Sequence, residues 1–319
     1  MDYLLLLLGF AALIKSSDFL VDGASSLARR YGMSDYVVGL TVVAFATSLP
    51  ELVVNMIAVI DGSAGMALGN VLGSNTLNIF VVVGITAAIS PLAVSGKKII
   101  REITLTILLS ALLLFVAGDS LFFNGAENIV SRTDGAVLLV LFSVFMYFTL
   151  RAARDKDGAE KTDTSAREVM SVGKASGLIA IGVAGLFIGG KLIVGSAGAI
   201  ALSFGMSDRV IGLTVVALGT SMPEIVTSII AARKVSGQMA LGNVLGSNIF
   251  NGLFILGLTA VLAPVKAGND FSPLDLYVTM AGSAVLLLCV AVWGRISRVW
   301  GVSLLACYAA YAAYLLVKS

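Results

Sequence analysis

The chain reads as an all-α polytopic membrane protein of about ten transmembrane helices, built as two inverted five-helix repeats with a broken helix in each half. Three observations predict this. The 319 residues are 58% hydrophobic and 13% charged, with a mean hydropathy of +0.99, whereas soluble domains carry about 25% charged residues. Apolar stretches of about twenty residues, enough to cross a hydrocarbon core of roughly 30 Å, recur along the chain. Finally, the sequence repeats itself at an offset of 173 residues. The period-2 alternation of a membrane barrel is absent.

The spans are expected near 3–22, 35–60, 66–90, 98–118 and 133–152, then 173–200, 208–232, 239–263, 274–294 and 297–317. The opening MDYLLLLLGFAALIKSSD lacks a basic leader and an A-x-A cleavage site, so it is read as a first span. Residues 151–171, RAARDKDGAEKTDTSAREVMS, are rich in charge and Thr and cannot bury a core. Three parts follow: a first repeat at 1–152, a linker at 153–172 and a second repeat at 173–319.

Residues 33–78 fall on 206–251 without a gap, and 29 of the 46 pairs are identical. MALGNVLGSN stands at 66–75 and again at 239–248; Pro50 meets Pro223 and Pro91 meets Pro264. Shared apolar composition does not explain this, because polar residues and prolines match best. Five spans per half is an odd number, so the second copy enters the membrane upside down. The charges agree: Arg29 and Arg30 align with Leu202 and Ser203, while Ile60 and Asp61 align with Arg233 and Lys234. With both termini outside, the inner loops hold Arg29, Arg30, Lys97, Lys98, Arg101, the linker cluster, Arg233, Lys234, Arg295 and Arg298. The outer loops hold Arg132, Arg209, Lys266 and Lys318. The positive-inside rule therefore puts the linker in the cytoplasm of a multi-pass cell-membrane protein.

The chemistry is concentrated in GLTVVAFATSLPE (39–51) and GLTVVALGTSMPE (212–224). Each puts a carboxylate in an apolar run, at a cost of roughly 2.5–3.5 kcal/mol on insertion scales. Thr47, Ser48 and Glu51 stand at i, i+1 and i+4, so one helix face presents two hydroxyls and an acid. Pro50 removes a backbone donor and breaks the helix, which frees carbonyls near Ala44 to Ala46; Pro223 does the same near Ala217. Such carbonyls persist at membrane depth only against protein or a water-filled cavity. The following span carries Ser74 and Asn78 at i and i+4, repeated as Ser247 and Asn251. Glycines 69, 73, 242 and 246 have close-packing spacing. Asn70, Asn75, Asn243 and Asn248 are read as interhelical hydrogen-bonding groups.

The collected donors are hard oxygens. That set suits Ca²⁺, Na⁺ or Mg²⁺ and argues against zinc or copper; a dry protein cage favours Ca²⁺ over the strongly hydrated Mg²⁺. Two carboxylates balance one Ca²⁺ or two Na⁺. The chain has no histidine, which excludes histidine catalysis, metal ligation and proton relay. Cys289 and Cys307 are read as buried thiols.

These residues resemble the cation/calcium exchanger superfamily, and most closely its prokaryotic sodium/calcium exchangers. The family's G-T-S-x-P-E and G-N-x-x-G-S-N signatures stand here as ATSLPE with GNVLGSNTLN, and GTSMPE with GNVLGSNIFN. The resemblance implies an antiporter that exchanges Na⁺ for Ca²⁺ by alternating access, with those ions as substrates, no cofactor and no enzymatic activity. It also implies a monomer sufficient for transport, with the bilayer and not nucleic acid as its partner. Position by position, it implies a central Ca²⁺ site of Glu51 and Glu224 helped by Thr47 and Thr220. Flanking Na⁺ sites would use Ser48, Ser74, Ser221, Ser247 and the carbonyls of Ala44 and Ala217, with Asn78 and Asn251 as the remaining polar ligands. Ala46 departs from the usual glycine, and Asn251 stands where several relatives carry aspartate, which argues against potassium co-transport. The alternatives are a Ca²⁺/H⁺ exchanger using the same glutamates, a cation channel, and an intramembrane serine hydrolase, for which no repeated serine has a base beside it.

Overall fold

A computed structural model describes residues 1–60, 64–94, 96–122, 128–154, 169–204, 217–266 and 273–318. Helix α1 (Asp2–Tyr31) runs well past the expected end at residue 22. The stretch Gly23–Ser26 is small and mostly polar, beyond the apolar run on which the span was read. It is buried, and a side chain at Gly23 would stand 2.7 Å from the Ala175 carbonyl of a neighbouring helix. The helix stops at Gly32, whose φ of 65° only glycine adopts without strain.

Ser34 caps the next helix, its hydroxyl accepting from the Val37 N–H. Helices α2 (Asp35–Thr47) and α3 (Leu49–Ile60) meet at a bend of 42°. Then come α4 (residues 64–89), α5 (Lys97–Ala117), α6 (Arg132–Arg154) and α7 (Val172–Ser203). The second half continues with α8 (Ala217–Thr220), α9 (Met222–Lys234), α10 (Gly237–Leu262), α11 (Leu274–Trp293) and α12 (Arg298–Lys318). Among the described residues seven helices are long and apolar enough to cross a membrane, or eight if the bent α2–α3 pair is counted as one broken span. The protein is thus a multi-pass helical membrane protein. The expected seventh span, 208–232, lies partly outside the described residues, and so does most of the 153–172 linker.

Burial sorts the helices. In α4 and α10 about four-fifths of the membrane-length window is buried (78% and 83%), against 17% in α6 and 33% in α1. The motif-bearing α4 and α10 therefore form the centre, and α6 turns Val137, Val140, Val144, Tyr147 and Phe148 outward, as a lipid-facing helix does. Cys289 is buried as expected, whereas Cys307 is exposed on α12, whose outward face is apolar.

Gly84 and Gly257, 173 residues apart, make equivalent contacts in the two halves. The carbonyl of Gly84 stands 2.7 Å from a Cβ added at Gly301, and that of Gly257 stands 2.7 Å from one added at Gly135, so each half's third span lies against a helix from the other half. Two short antiparallel pairs also join the halves. Strand β1 (Leu92–Ala93) pairs with β4 (Arg295–Ile296), and β2 (Ile129–Val130) with β3 (Val265–Lys266). Helices α1 and α7 pack along each other through Gly9, Gly182 and Gly189, where an added Cβ would meet the facing backbone at 2.8–3.2 Å.

Candidate cation site

Both motifs break at a serine. Ser48 has φ −83° and ψ 4°, and Ser221 has φ −87° and ψ 0°. Each proline then falls in the first turn of the next helix, where its missing N–H costs nothing. Glu51 and Glu224 sit in those first turns, near the positive end of the helix dipole. Both are buried, at 1% and 0% exposure.

The donors come together both within and across the halves. Ser48 Oγ donates to Glu224 Oε1 at 3.4 Å, and Ser74 Oγ to Glu51 Oε1 at 3.5 Å. Thr47 Oγ1 lies 3.2 Å from Asn243 Oδ1 and 3.4 Å from Ser247 Oγ. Asn243 is held in turn by Ser228, to whose hydroxyl it donates at 2.9 Å. Thr220, Ser221 and Ser247 are buried as well. Ala44 departs from the expectation of a free carbonyl: its oxygen accepts from the Ser48 N–H at 3.0 Å and the Thr47 hydroxyl at 3.3 Å. The side chain of Ala217 lies outside the described residues.

Close helix approach makes this geometry possible. A Cβ on Gly242 would stand 2.5 Å from the Tyr36 carbonyl, and one on Gly246 would stand 2.4 Å from the Leu40 carbonyl. Wide helical turns at Gly39–Val43, Asn78–Val82 and Phe250–Ile255 flank the site. In them the N–H of Ala44, Val83 and Leu256 reaches back five residues, to Gly39, Asn78 and Asn251. Such turns gather at functional sites.

Five oxygens of the expected site have no hydrogen-bond partner although buried: Glu51 Oε2, Glu224 Oε2, Ser221 Oγ, Asn78 Oδ1 and Asn251 Oδ1. A buried polar group left unpaired costs about 1–3 kcal/mol, and more when charged. Four of the five are pure acceptors, so what would satisfy them is a cation or a hydrogen-bond donor.

The chain matches the model of the sodium/calcium exchanger protein family over residues 1–151 and 174–317. It belongs to the sodium/calcium exchanger family. It is 40% identical to the putative antiporter CaxA of Alkalimonas amylolytica, and 32% identical to the sodium/calcium exchanger MaX1 of Methanosarcina acetivorans. Both alignments cover 98% of each chain. Its fold matches the sodium-calcium exchanger NCX_Mj, solved without Na⁺ and Ca²⁺, at a TM-score of 0.82 and 33% identity over 98% of both chains. This family comprises cation transporters, not enzymes.

The asparagines the sequence assigned to interhelical bonding do bond between helices. Asn70 Nδ2 donates to Asn55 Oδ1 at 2.7 Å, and Asn75 and Asn248 bond across the halves. The sequence reading missed one feature. Lys234, at the end of α9, pairs with Asp18 at 2.7 Å and Asp22 at 3.6 Å on α1. The repeat carries a signal for it: Lys191 occupies Asp18's position in the second copy, and Asp61, outside the described residues, occupies Lys234's.

Proposed function

We propose that the protein exchanges Na⁺ for Ca²⁺ across the cell membrane by alternating access, through cation sites shared between the two halves. The observation that carries this is the set of unpartnered buried oxygens, one from each of Glu51 and Glu224. Two carboxylates neutralise one Ca²⁺ or two Na⁺, so either load leaves the site without net charge and the two compete for it. Glu51, Glu224, Thr47 and Thr220 form the central Ca²⁺ site. Ser48, Ser74, Ser221, Ser247 and the carbonyls of Ala44 and Ala217 serve Na⁺ beside it. Asn78 and Asn251 complete the set with neutral oxygens. For Ala44 to bind a cation, the Thr47 hydroxyl must turn away from it. The relative named a sodium/calcium exchanger supports the choice of ions. So do the NCX_Mj structures soaked with Na⁺ and Ca²⁺ or with Sr²⁺.

The two halves act as inverted repeats, 1–152 and 173–319, with both termini outside and the linker in the cytoplasm; one chain suffices. Alternating access moves α1 and α7 as a packed pair against the rest. The pairing of Lys234 with Asp18 and Asp22 holds α1 in the position seen here. The test is uptake of ⁴⁵Ca²⁺ into vesicles, driven first by a Na⁺ gradient and then by a pH gradient. Na⁺-driven uptake supports the reading. Uptake driven only by pH makes the protein a Ca²⁺/H⁺ exchanger, and single-channel currents make it a channel.

A further inference from the structure

Asn75 and Asn248 are not among the ligands above, yet they build a closed arrangement at the seam between the halves. Asn75 Nδ2 donates to the Asn248 backbone carbonyl at 3.3 Å, and Asn248 Nδ2 donates to the Asn75 carbonyl at 3.3 Å. A backbone carbonyl can only accept, so these two contacts fix which end of each amide is nitrogen. The other end of each is therefore an oxygen, and each oxygen takes a donor from the ligand of the opposite half. Asn78 Nδ2 donates to Asn248 Oδ1 at 2.9 Å, and Asn251 Nδ2 donates to Asn75 Oδ1 at 3.2 Å. Turning either ligand amide over would set oxygen against oxygen. The chain of orientation thus ends at Asn78 Oδ1 and Asn251 Oδ1, the two amide oxygens left buried and unpartnered.

We propose that Asn75 and Asn248 are positioning residues that fix the polarity of the cation site, holding Asn78 and Asn251 with carbonyl oxygen, and not amide hydrogen, facing the ion. This rests on the ion-site reading above. Each acts on the ligand of the other half: Asn75 on Asn251, and Asn248 on Asn78. Released, a ligand amide is no longer set with its oxygen inward, and the ion itself must turn and hold it, which weakens binding. The arrangement also ties both halves to the ion at one place, because the positioning group and its ligand lie on different central helices, α4 and α10.

The test uses the purified full chain and Ca²⁺ alone. Equilibrium ⁴⁵Ca²⁺ binding is expected to weaken tenfold or more in Asn75→Ala and in Asn248→Ala, the range found when groups that orient a metal ligand are removed. The partnership is expected to show in double variants. Asn75→Ala added to Asn251→Ala produces no further loss, whereas Asn75→Ala added to Asn78→Ala multiplies the losses. A purely structural role would multiply both. If the alanine variants do not fold, Asn75→Ser and Asn248→Ser remove the same bonds with a smaller change in shape.

A second arm needs no cation. In ¹⁵N-asparagine-labelled protein, the side-chain amide of Asn251 loses its exchange protection in Asn75→Ala while that of Asn78 keeps it, and Asn248→Ala gives the converse. Undiminished Ca²⁺ binding in both single variants, multiplied losses in the Asn75/Asn251 pair, or unchanged amide protection overturns the proposal. Ca²⁺ binding that survives Glu51→Gln refutes the ion-site reading instead, and the amide exchange then decides the orientation by itself.

Discussion

Gly246→Ala tests whether helix packing sets the site. A Cβ at this position would stand 2.4 Å from the Leu40 carbonyl oxygen and 2.7 Å from Ala44 Cβ. Neither neighbour is the end of a flexible side chain, so the strain falls on backbone. An ordinary carbon–oxygen contact needs roughly 3.3 Å, so α10 must back away from α2 by about 0.9 Å. Ser247 is the next residue, and its hydroxyl lies 3.4 Å from Thr47 Oγ1. Ca²⁺–oxygen distances span only about 2.3–2.6 Å, so a shift of that size takes ligands of α10 out of reach of an ion held by α2. The expected outcome is a loss of Ca²⁺ affinity on the order of a hundredfold, the scale on which 1 Å misplacements act, with about 1–3 kcal/mol of stability lost to overpacking. Na⁺-driven ⁴⁵Ca²⁺ uptake over a range of Ca²⁺ concentrations gives the first quantity, and thermal melting of the purified protein the second. Normal affinity in a destabilised but folded Gly246→Ala protein would refute the claim that contact between these helices places the ligands.

Other perturbations address the remaining parts. Glu51→Gln and Glu224→Gln each remove one of the site's two charges, and each is expected to abolish exchange while leaving the protein folded by size-exclusion and melting; near-normal uptake in either removes that residue from the site. Asn251→Asp replaces the amide nitrogen 3.2 Å from Asn75 Oδ1 with a carboxylate oxygen, adding charge and opposing two acceptors. It is expected to change the ratio of Na⁺ to Ca²⁺ affinity in competition binding, and an unaltered ratio contradicts the orientation argued here. Lys234→Met removes the ion pairs to Asp18 and Asp22. These pairs are partly exposed and worth about 1 kcal/mol or less in stability. The melting point should barely move, while spin-label distances between α1 and α9 shift toward a second population; a single unchanged distance shows that the pairs do not hold α1 in place.

The local half of the site was legible in the sequence. Thr47, Ser48 and Glu51 were named by spacing and Pro50 marks the break, but the single helix face expected for them is divided: Thr47 ends α2, Ser48 sits at the bend and Glu51 lies in the first turn of α3. The duplicated copy identified their partners before any contact was known. What spacing could not supply is which group meets which. Ser48 reaching Glu224 and Thr47 reaching Asn243 depend on how α2 crosses α9 and α10, while Ser74 reaching Glu51 depends on how α4 crosses α3 within the first half. Helix α1 outruns the apolar stretch 3–22 because its small, polar continuation Gly23–Ser26 is buried, with Gly23 against α7. The wide turns at residues 39–43, 78–82 and 250–255 contain no proline to announce them. Ala44 shows the limit of the proline argument: one broken bond does not leave every nearby carbonyl free, since the Ser48 N–H still takes that one.

The central claim, that a cation is held jointly by Glu51 and Glu224, is tested most directly by the anomalous signal of Sr²⁺ in crystals of this protein soaked with that ion. A peak within coordination distance of both carboxylates, lost on competition with Na⁺, is the predicted result. A peak elsewhere, or one bound by a single glutamate and indifferent to Na⁺, would contradict it.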